Sequence, residues 1–325
     1  MQRRGFMTLL AGAASWASAG RAQKAMPMIG YLNSNSPEET APLLAAFRAG
    51  LKQAGYVEGD NVAIESRWAE GHYDRLPALA ADLVARKVDV IVATTGVPSV
   101  RAAKAATASI PIVFDAGTDP VALGLVASLA RPGGNITGIA FMTTGLTPKR
   151  LEMLSELVPQ IKTVGLLVNP TNPQTESIIR DAQEAARTIG VELQTLNAGS
   201  DTEIDAAFVA LTQSHAGGLI AGADPFFNAR RERLIALAAR GAIPAIYQYR
   251  EFAAEGGLIS YGPNIAAVYR QVGIYAGRIL KGEKPGDLPV QRPATFELVV
   301  NMKTAKTLGL TVPQVLLAQA NEVIE

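Results

Sequence analysis

Cysteine is missing from all 325 residues. That excludes disulfides, thiolate nucleophiles, cysteine metal ligands and a lipid-modified cysteine near the N-terminus. Histidine is almost missing too: His72 lies in a polar stretch beside Gly71, His215 precedes Gly217 and Gly218, and both read as solvated. The strings H-E-x-x-H, G-x-S-x-G, G-x-G-x-x-G and the P-loop do not occur, so metalloprotease, hydrolase, dinucleotide and nucleotide chemistry lack their minimal parts. No metal, cofactor or catalytic residue is expected. Charge of one sign is also missing, with 30 basic against 29 acidic residues. Without a surplus to neutralise phosphates, nucleic acid is not an expected partner. Aromatic residues are sparse at 6%. Apolar residues are plentiful: 48% are hydrophobic and 18% charged, which is ample for buried cores. At this length two domains are the better expectation.

The first residues have the layout of an export signal. Arg3 and Arg4 precede an uncharged apolar run from Phe6 to Ala19, shorter than the ~20 residues a spanning helix needs. Small residues follow, so cleavage after Ala19 or Ala22 is expected. Arg3 to Met7 resembles a twin-arginine signal, with Gln2 and Thr8 as departures from that pattern. Residues 1–22 are therefore assigned as the signal, and the rest as a periplasmic, soluble monomer without a lipid anchor.

From Pro27 onward, runs rich in Val and Ile alternate with amphipathic stretches, the pattern of repeated βαβ units. Strands are expected at Met28 to Asn33, Val62 to Trp68, Val88 to Thr94, Ile112 to Asp115 and Ile136 to Ala140. A second set is expected at Val164 to Asn169, Val191 to Leu196, Gly218 to Ala221, Ala245 to Tyr247 and Leu258 to Tyr261. One motif of strand, polar turn and capped helix occurs twice, in Gly30 to Pro37 and Gly165 to Pro173. In the first copy Ser36 is the expected cap, with Pro37 in the first turn and Glu39 completing a capping box. In the second copy Asn172 is the expected cap, and Pro173 opens the helix. Gly55 and Gly190 are the expected stops. A helix near Pro263 to Leu280 and a strand Phe296 to Asn301 follow. The predicted fold is α/β, with two doubly wound parallel-sheet lobes joined by a hinge that permits closure about a ligand. Residues 27–145 with about 263–290 form the first lobe, and 146–262 with about 291–325 the second.

Several motifs, in order, resemble the ABC transporter substrate-binding protein family that includes tryptophan and tyrosine importers. They are Gly30-Tyr31-Leu32, Arg67-Trp68-Ala69-Glu70-Gly71, Asp119-Pro120-Val121, Arg131-Pro132-Gly133-Gly134-Asn135-Ile136-Thr137-Gly138, Leu167-Val168-Asn169-Pro170 and Tyr261-Gly262-Pro263. The resemblance spans nearly the whole chain after the signal. It implies a type I periplasmic binding protein fold, three crossings between lobes, a solute in the cleft and permease subunits of an ABC transporter as partners. Arg131 to Gly138 by itself is more simply a tight turn before a strand.

Ligands of open parallel sheets bind beyond the carboxyl ends of the strands. That rule selects Asn33, Ser34, Asn35, Thr94, Thr95, Gly96 and Asp115 in the first lobe, and Asn169, Asp224, Phe226 and Tyr247 in the second. Thr94, Thr95 and Gly96 precede a helix, so they are expected to hold a carboxylate unless the threonines simply cap that helix. Asp115 and Asp224 are candidate acceptors for an ammonium group, with helix capping the competing role for Asp224. Asn33 and Asn169 hold equivalent places and are expected to face the cleft, unless each stabilises its own turn. Among Tyr31, Phe226, Phe227, Tyr247 and Tyr261, one or two are expected to stack on a planar solute. Trp68 is read as structural. An amino acid suits these groups better than a sugar. The competing functions are a ligand sensor for a membrane signalling protein and an exported enzyme using cleft carboxylates.

Overall fold

Branched apolar side chains pack well on a pleated, buried surface, and the Val- and Ile-rich runs form strands for that reason. A computed structural model describes residues 26–293 and 295–325. The export signal expected at residues 1–22 lies outside the described residues. In the first half, β1 (Met28–Asn33), β2 (Ala63–Trp68), β3 (Val90–Thr94), β4 (Ile112–Ala116) and β5 (Ile136–Ala140) form one parallel sheet in the order β2-β1-β3-β4-β5. Helices α1 (Pro37–Gln53), α2 (Leu76–Ala85) and α3 (Val97–Ala106) connect its strands.

After α4 (Thr147–Leu157), the second sheet repeats that order with β6 (Thr163–Val168), β7 (Glu192–Asn197), β8 (Gly218–Ala221), β9 (Ala245–Tyr247) and β10 (Ile259–Gly262). Its helices are α5 (Thr175–Ile189), α6 (Asp201–Gln213), α7 (Pro225–Ala229), α8 (Arg231–Arg240) and α9 (Arg250–Ala254). Beyond α10 (Ile265–Leu280), β11 (Glu297–Asn301) joins β10 antiparallel. After α11 (Met302–Thr307) and α12 (Gln314–Gln319), β12 (Glu322–Ile324) extends the edge parallel to β11. β12 is not among the strands expected from the sequence, because this edge segment is part-exposed and carries no apolar run such as marks β9.

Local chemistry sets the helix limits. Ser36 and Glu39 form the expected capping box on α1, and Leu44, Phe47 and Leu51 form its buried stripe. Burying each of these side chains contributes about 1.5–3 kcal/mol. Gly55, at φ +92°, follows the C-cap and turns the chain away. The second copy departs from expectation: α5 starts at Thr175 with Gln174 as its N-cap. Asn172 instead bonds Asp224 at 2.5 Å and accepts the Gln174 N–H at 2.9 Å, which folds the turn inward before the helix begins. Gly190 ends α5 in the left-handed conformation.

Helix α10 returns to the first sheet and packs on α1, β3, β4 and β5. Its contact with α1 is close enough to require glycine on both sides. A Cβ at Gly50 would lie 1.8 Å from the Arg270 carbonyl oxygen, and one at Gly273 would lie 2.1 Å from that of Phe47. The following segment runs beside β5, where Ala140 N–H donates to Gln291 at 2.8 Å and Gln291 N–H to Gly138 at 3.1 Å. It then passes to β11. The chain thus crosses between sheets three times: after β5, before α10 and before β11. Among the described residues no helix is long and apolar enough to cross a membrane.

Candidate functional site

Loops beyond the carboxyl ends of both sheets enclose a cavity of about 190 Å³. Asn35, Thr95, Gly96, Asp115 and Asp224 reach its wall from the residues selected in the sequence. Asn33, Ser34, Thr94, Asn169, Phe226 and Tyr247 do not line it; they stand behind the wall, all buried.

In the first lobe, Asn33 holds its own loop: its Nδ2 donates to Thr94 Oγ1 at 3.0 Å and its Oδ1 accepts from Asn35 N–H at 2.8 Å. Turn stabilisation, the competing role, is what Asn33 performs. At the expected carboxylate site, the backbone donors of Thr95 and Gly96 are already engaged. Both residues have positive φ, +66° and +90°, and this turns their N–H groups back onto the Asp115 carboxylate at 3.3 and 3.2 Å. Those donors are therefore not free for a solute anion. Neither threonine caps α3; its N-cap is Gly96, and Ser99 closes the turn by donating to the Thr94 and Gly96 carbonyls.

Asp115 is fully enclosed, and burial pushes its carboxyl up to about 6, against the pull of the two N–H donors. Each carboxylate oxygen accepts one backbone bond and the Tyr269 hydroxyl also lowers the pKa, which leaves lone pairs on the carboxylate unused. The Tyr269 hydroxyl, 3.1 Å from Thr95 Oγ1, completes this wall.

Asp224 behaves differently from its expected role as an ammonium acceptor. It accepts from Asn172 Nδ2 at 2.5 Å, Phe226 N–H at 2.7 Å, and Asn169 Nδ2 and the Tyr73 hydroxyl at 3.2 Å each. Burial raises its pKa, and these four donors oppose that shift. With four donors already on two oxygens, Asp224 is a structural hub and the cap of α7. Asn169, which also accepts from Thr171 N–H at 3.1 Å, belongs to the same network and not to the wall. Glu251, half-buried on the wall and also shifted up by burial, is a second-lobe acid that the strand-end rule does not select.

The aromatic wall consists of Phe141, Tyr249, Phe252 and Tyr269. Phe226 instead lies under Arg230 at 3.8 Å, and Tyr247 stacks on Phe252 at 4.5 Å from behind. Tyr31 packs between Phe47 and Trp68 in the core, which agrees with a structural Trp68. Phe141 directly follows β5 and Tyr249 closely follows β9, so the strand-end rule applied to every strand would have found both. Phe252 and Tyr269 lie on helices α9 and α10 and carry no such signal.

The lobes touch across the cavity. Asn35 Nδ2 donates to the Pro225 carbonyl at 3.1 Å, Tyr73 reaches Asp224, and a Cβ on Gly96 would lie 3.0 Å from Pro225 Cγ. Two buried polar atoms of residues on the wall have no partner among the described residues: Asn35 Oδ1, an acceptor, and Gln174 Nε2, a donor. Such atoms are costly unless something else bonds them.

Comparison with known proteins agrees with this architecture. A curated tyrosine-binding protein from Clostridioides difficile (strain R20291) is 28% identical over 264 residues, covering 81% of this chain and 75% of that protein. The crystal structure of an ABC domain in complex with L-Trp from Streptococcus pneumoniae superposes with TM-score 0.82 at 25% identity, covering 92% of this chain and 99% of that one. A ligand-free, open substrate-binding protein with adhesive properties from Clostridium difficile has the same identity and coverages but a TM-score of 0.64. At equal identity and coverage, the chain superposes better on the L-Trp complex than on the open, ligand-free structure. The fold is that of periplasmic binding proteins, two α/β lobes about a cleft. Residues 42–324 match the family described as ABC transporter substrate binding protein, and the chain belongs to that family.

Proposed function

We propose that this protein is the solute receptor of an ABC importer and holds an amino acid, most suitably an aromatic one, between its lobes. The observation that carries this reading is the composition of one enclosed wall. Four aromatic side chains, Phe141, Tyr249, Phe252 and Tyr269, share it with two acids raised by burial, Asp115 and Glu251. Aromatic faces favour a planar apolar side chain, and a desolvated carboxylate favours an ammonium partner. The tyrosine-binding relative and the L-Trp complex support the same solute class.

In this reading, solute binds while the lobes are apart. Contacts from the second lobe then favour the closed form by their differential affinity. The lobes comprise residues 27–145 with about 263–290, and 146–262 with about 291–325, and permease subunits recognise the closed shape. The receptor works in the periplasm after loss of its signal. Thermal-shift screening against amino acids, nucleosides and sugars tests the reading. Saturation at about 100 times Kd stabilises by roughly 2.7 kcal/mol, expected for L-tyrosine or L-tryptophan. A shift with sugars or nucleosides alone refutes the solute class, and conversion of a bound compound to product refutes the receptor role.

A further inference from the structure

Arg150, on α4, is fully buried, yet no carboxylate pairs with it among the described residues. Its Nε donates to the Tyr261 carbonyl at 2.9 Å, Nη1 to the Thr143 carbonyl at 3.2 Å and Nη2 to Thr143 Oγ1 at 2.7 Å. It thereby ties the first crossing to the end of β10. A buried cation held only by neutral oxygens is costly. An anion nearby would offset that cost.

Thr143 lines the cavity, and its hydroxyl joins that residue to the buried charge. Because Oγ1 accepts from the guanidinium, its own hydrogen is left for another acceptor, and Thr143 lies on the wall. Bonding to a cation also polarises that hydroxyl and makes it a stronger donor. Beside it is the start of α5, a helix of 15 residues whose N-cap, Gln174, makes no side-chain cap. Gln174 is 6% exposed, lines the cavity and leaves Nε2 without a partner. Two donors without an acceptor among the described residues, a helix N-terminus and a buried cation thus serve one cavity, and α5 touches the turn at residues 144–146 that directly follows Thr143.

We propose that Thr143 Oγ1, Gln174 Nε2 and the first turn of α5, backed by Arg150, form the subsite that holds the carboxylate of the solute. The proposal rests on the receptor reading and deepens it. Asp115 and Asn35 Oδ1 supply acceptors for an ammonium on the same cavity wall, so an α-amino acid, which carries both groups on one carbon, suits it. Arg150 acts here as a positioning residue through Thr143.

Isothermal titration with L-tyrosine and L-tryptophan, and with tyramine and tryptamine, which lack only the carboxylate, tests the subsite. The amino acids are expected to bind the unaltered protein at least about 10-fold more tightly than the amines, since a hydrogen bond to a charged group is worth roughly 10- to 100-fold. Thr143→Val and Gln174→Ala are each expected to remove most of that preference by weakening the amino acids far more than the amines, and Thr143→Ser should retain it. Thr143→Val removes one acceptor of Arg150, whereas Gln174→Ala touches none of its bonds, so a folding defect in the first variant does not decide the result. Amines that bind the unaltered protein as tightly as the amino acids overturn the subsite but not the receptor. So do variants that weaken both ligand types equally. If none of the four compounds binds, the receptor reading for aromatic amino acids falls, and the subsite with it.

Discussion

At the end of β1, Asn33 accepts the Asn35 N–H and donates to Thr94 at the end of β3; directly after β6, Asn169 accepts the Thr171 N–H and donates to Asp224, just past β8. The two loops use one device at one place in a repeated strand order. They part at the helices. Ser36 and Glu39 saturate the start of α1, whereas Asn172 is drawn to Asp224, α5 starts later, and Gln174 faces the cavity unpaired. A duplicated plan therefore gives one lobe a closed helix start and the other an open one. What differs is the residue each loop meets across its sheet: a neutral threonine in the first lobe and a buried carboxylate in the second.

The strongest way to break this comparison is to remove the carboxylate. Asp224→Ala leaves Asn169, Asn172 and Phe226 N–H without their acceptor and should cost about 3–5 kcal/mol in urea unfolding. The counterpart Thr94→Val removes one neutral hydroxyl and should cost about 1–2 kcal/mol. Equal losses would mean that the two anchors are energetically alike.

Asp115 gives the next effect. Burial raises its carboxyl from 3.8 to about 6, so between those values the folded chain keeps a proton that the unfolded chain has lost. Stability without ligand should therefore fall as pH rises from about 4 to about 6, by on the order of 3 kcal/mol, and then level off. Asp115→Asn should flatten that slope in unfolding curves measured across the window. It should also weaken ligands that carry an ammonium. Gly96, at φ +90° and ψ 179°, occupies backbone space that suits glycine almost alone, and it abuts Pro225. Gly96→Ala should cost about 1–3 kcal/mol and shift the lobes apart, visible as a larger radius of gyration in solution scattering.

The smallest effects separate the two helix starts directly. Ser36→Ala removes a working cap and should lower stability by about 1 kcal/mol. Gln174→Ala removes a side chain that caps nothing, together with a buried donor that has no partner among the described residues, and should lower stability by less than the Ser36 change. A Gln174 variant as destabilised as the Ser36 variant would mean that the α5 start is not open.

Much of the fold is legible in the chain because alternation of apolar runs with amphipathic stretches reports burial directly. β1, β5, β8 and β9 fall where the Val- and Ile-rich runs place them. The site is less legible. The strand-end rule leads to Asn35, Thr95, Gly96, Asp115 and Asp224 on the wall, yet also to Asn33, Thr94, Asn169, Phe226 and Tyr247 behind it. Proximity to a strand end does not say which way a side chain points or what already bonds it. Arg150 is the clearest omission: on α4 it resembles any helical arginine, and only the fold buries it against Thr143 and Tyr261.

The order of elements, the repeated plan and the capping box at Ser36 follow from spacing along the chain, because hydrogen bonds and periodic burial within a few residues decide them. The tertiary structure decided which polar groups remain open to a solute. Pairings such as Gly96 with Asp115 or Asn172 with Asp224 join residues far apart in the chain, and a donor is free only after every such pairing has been made.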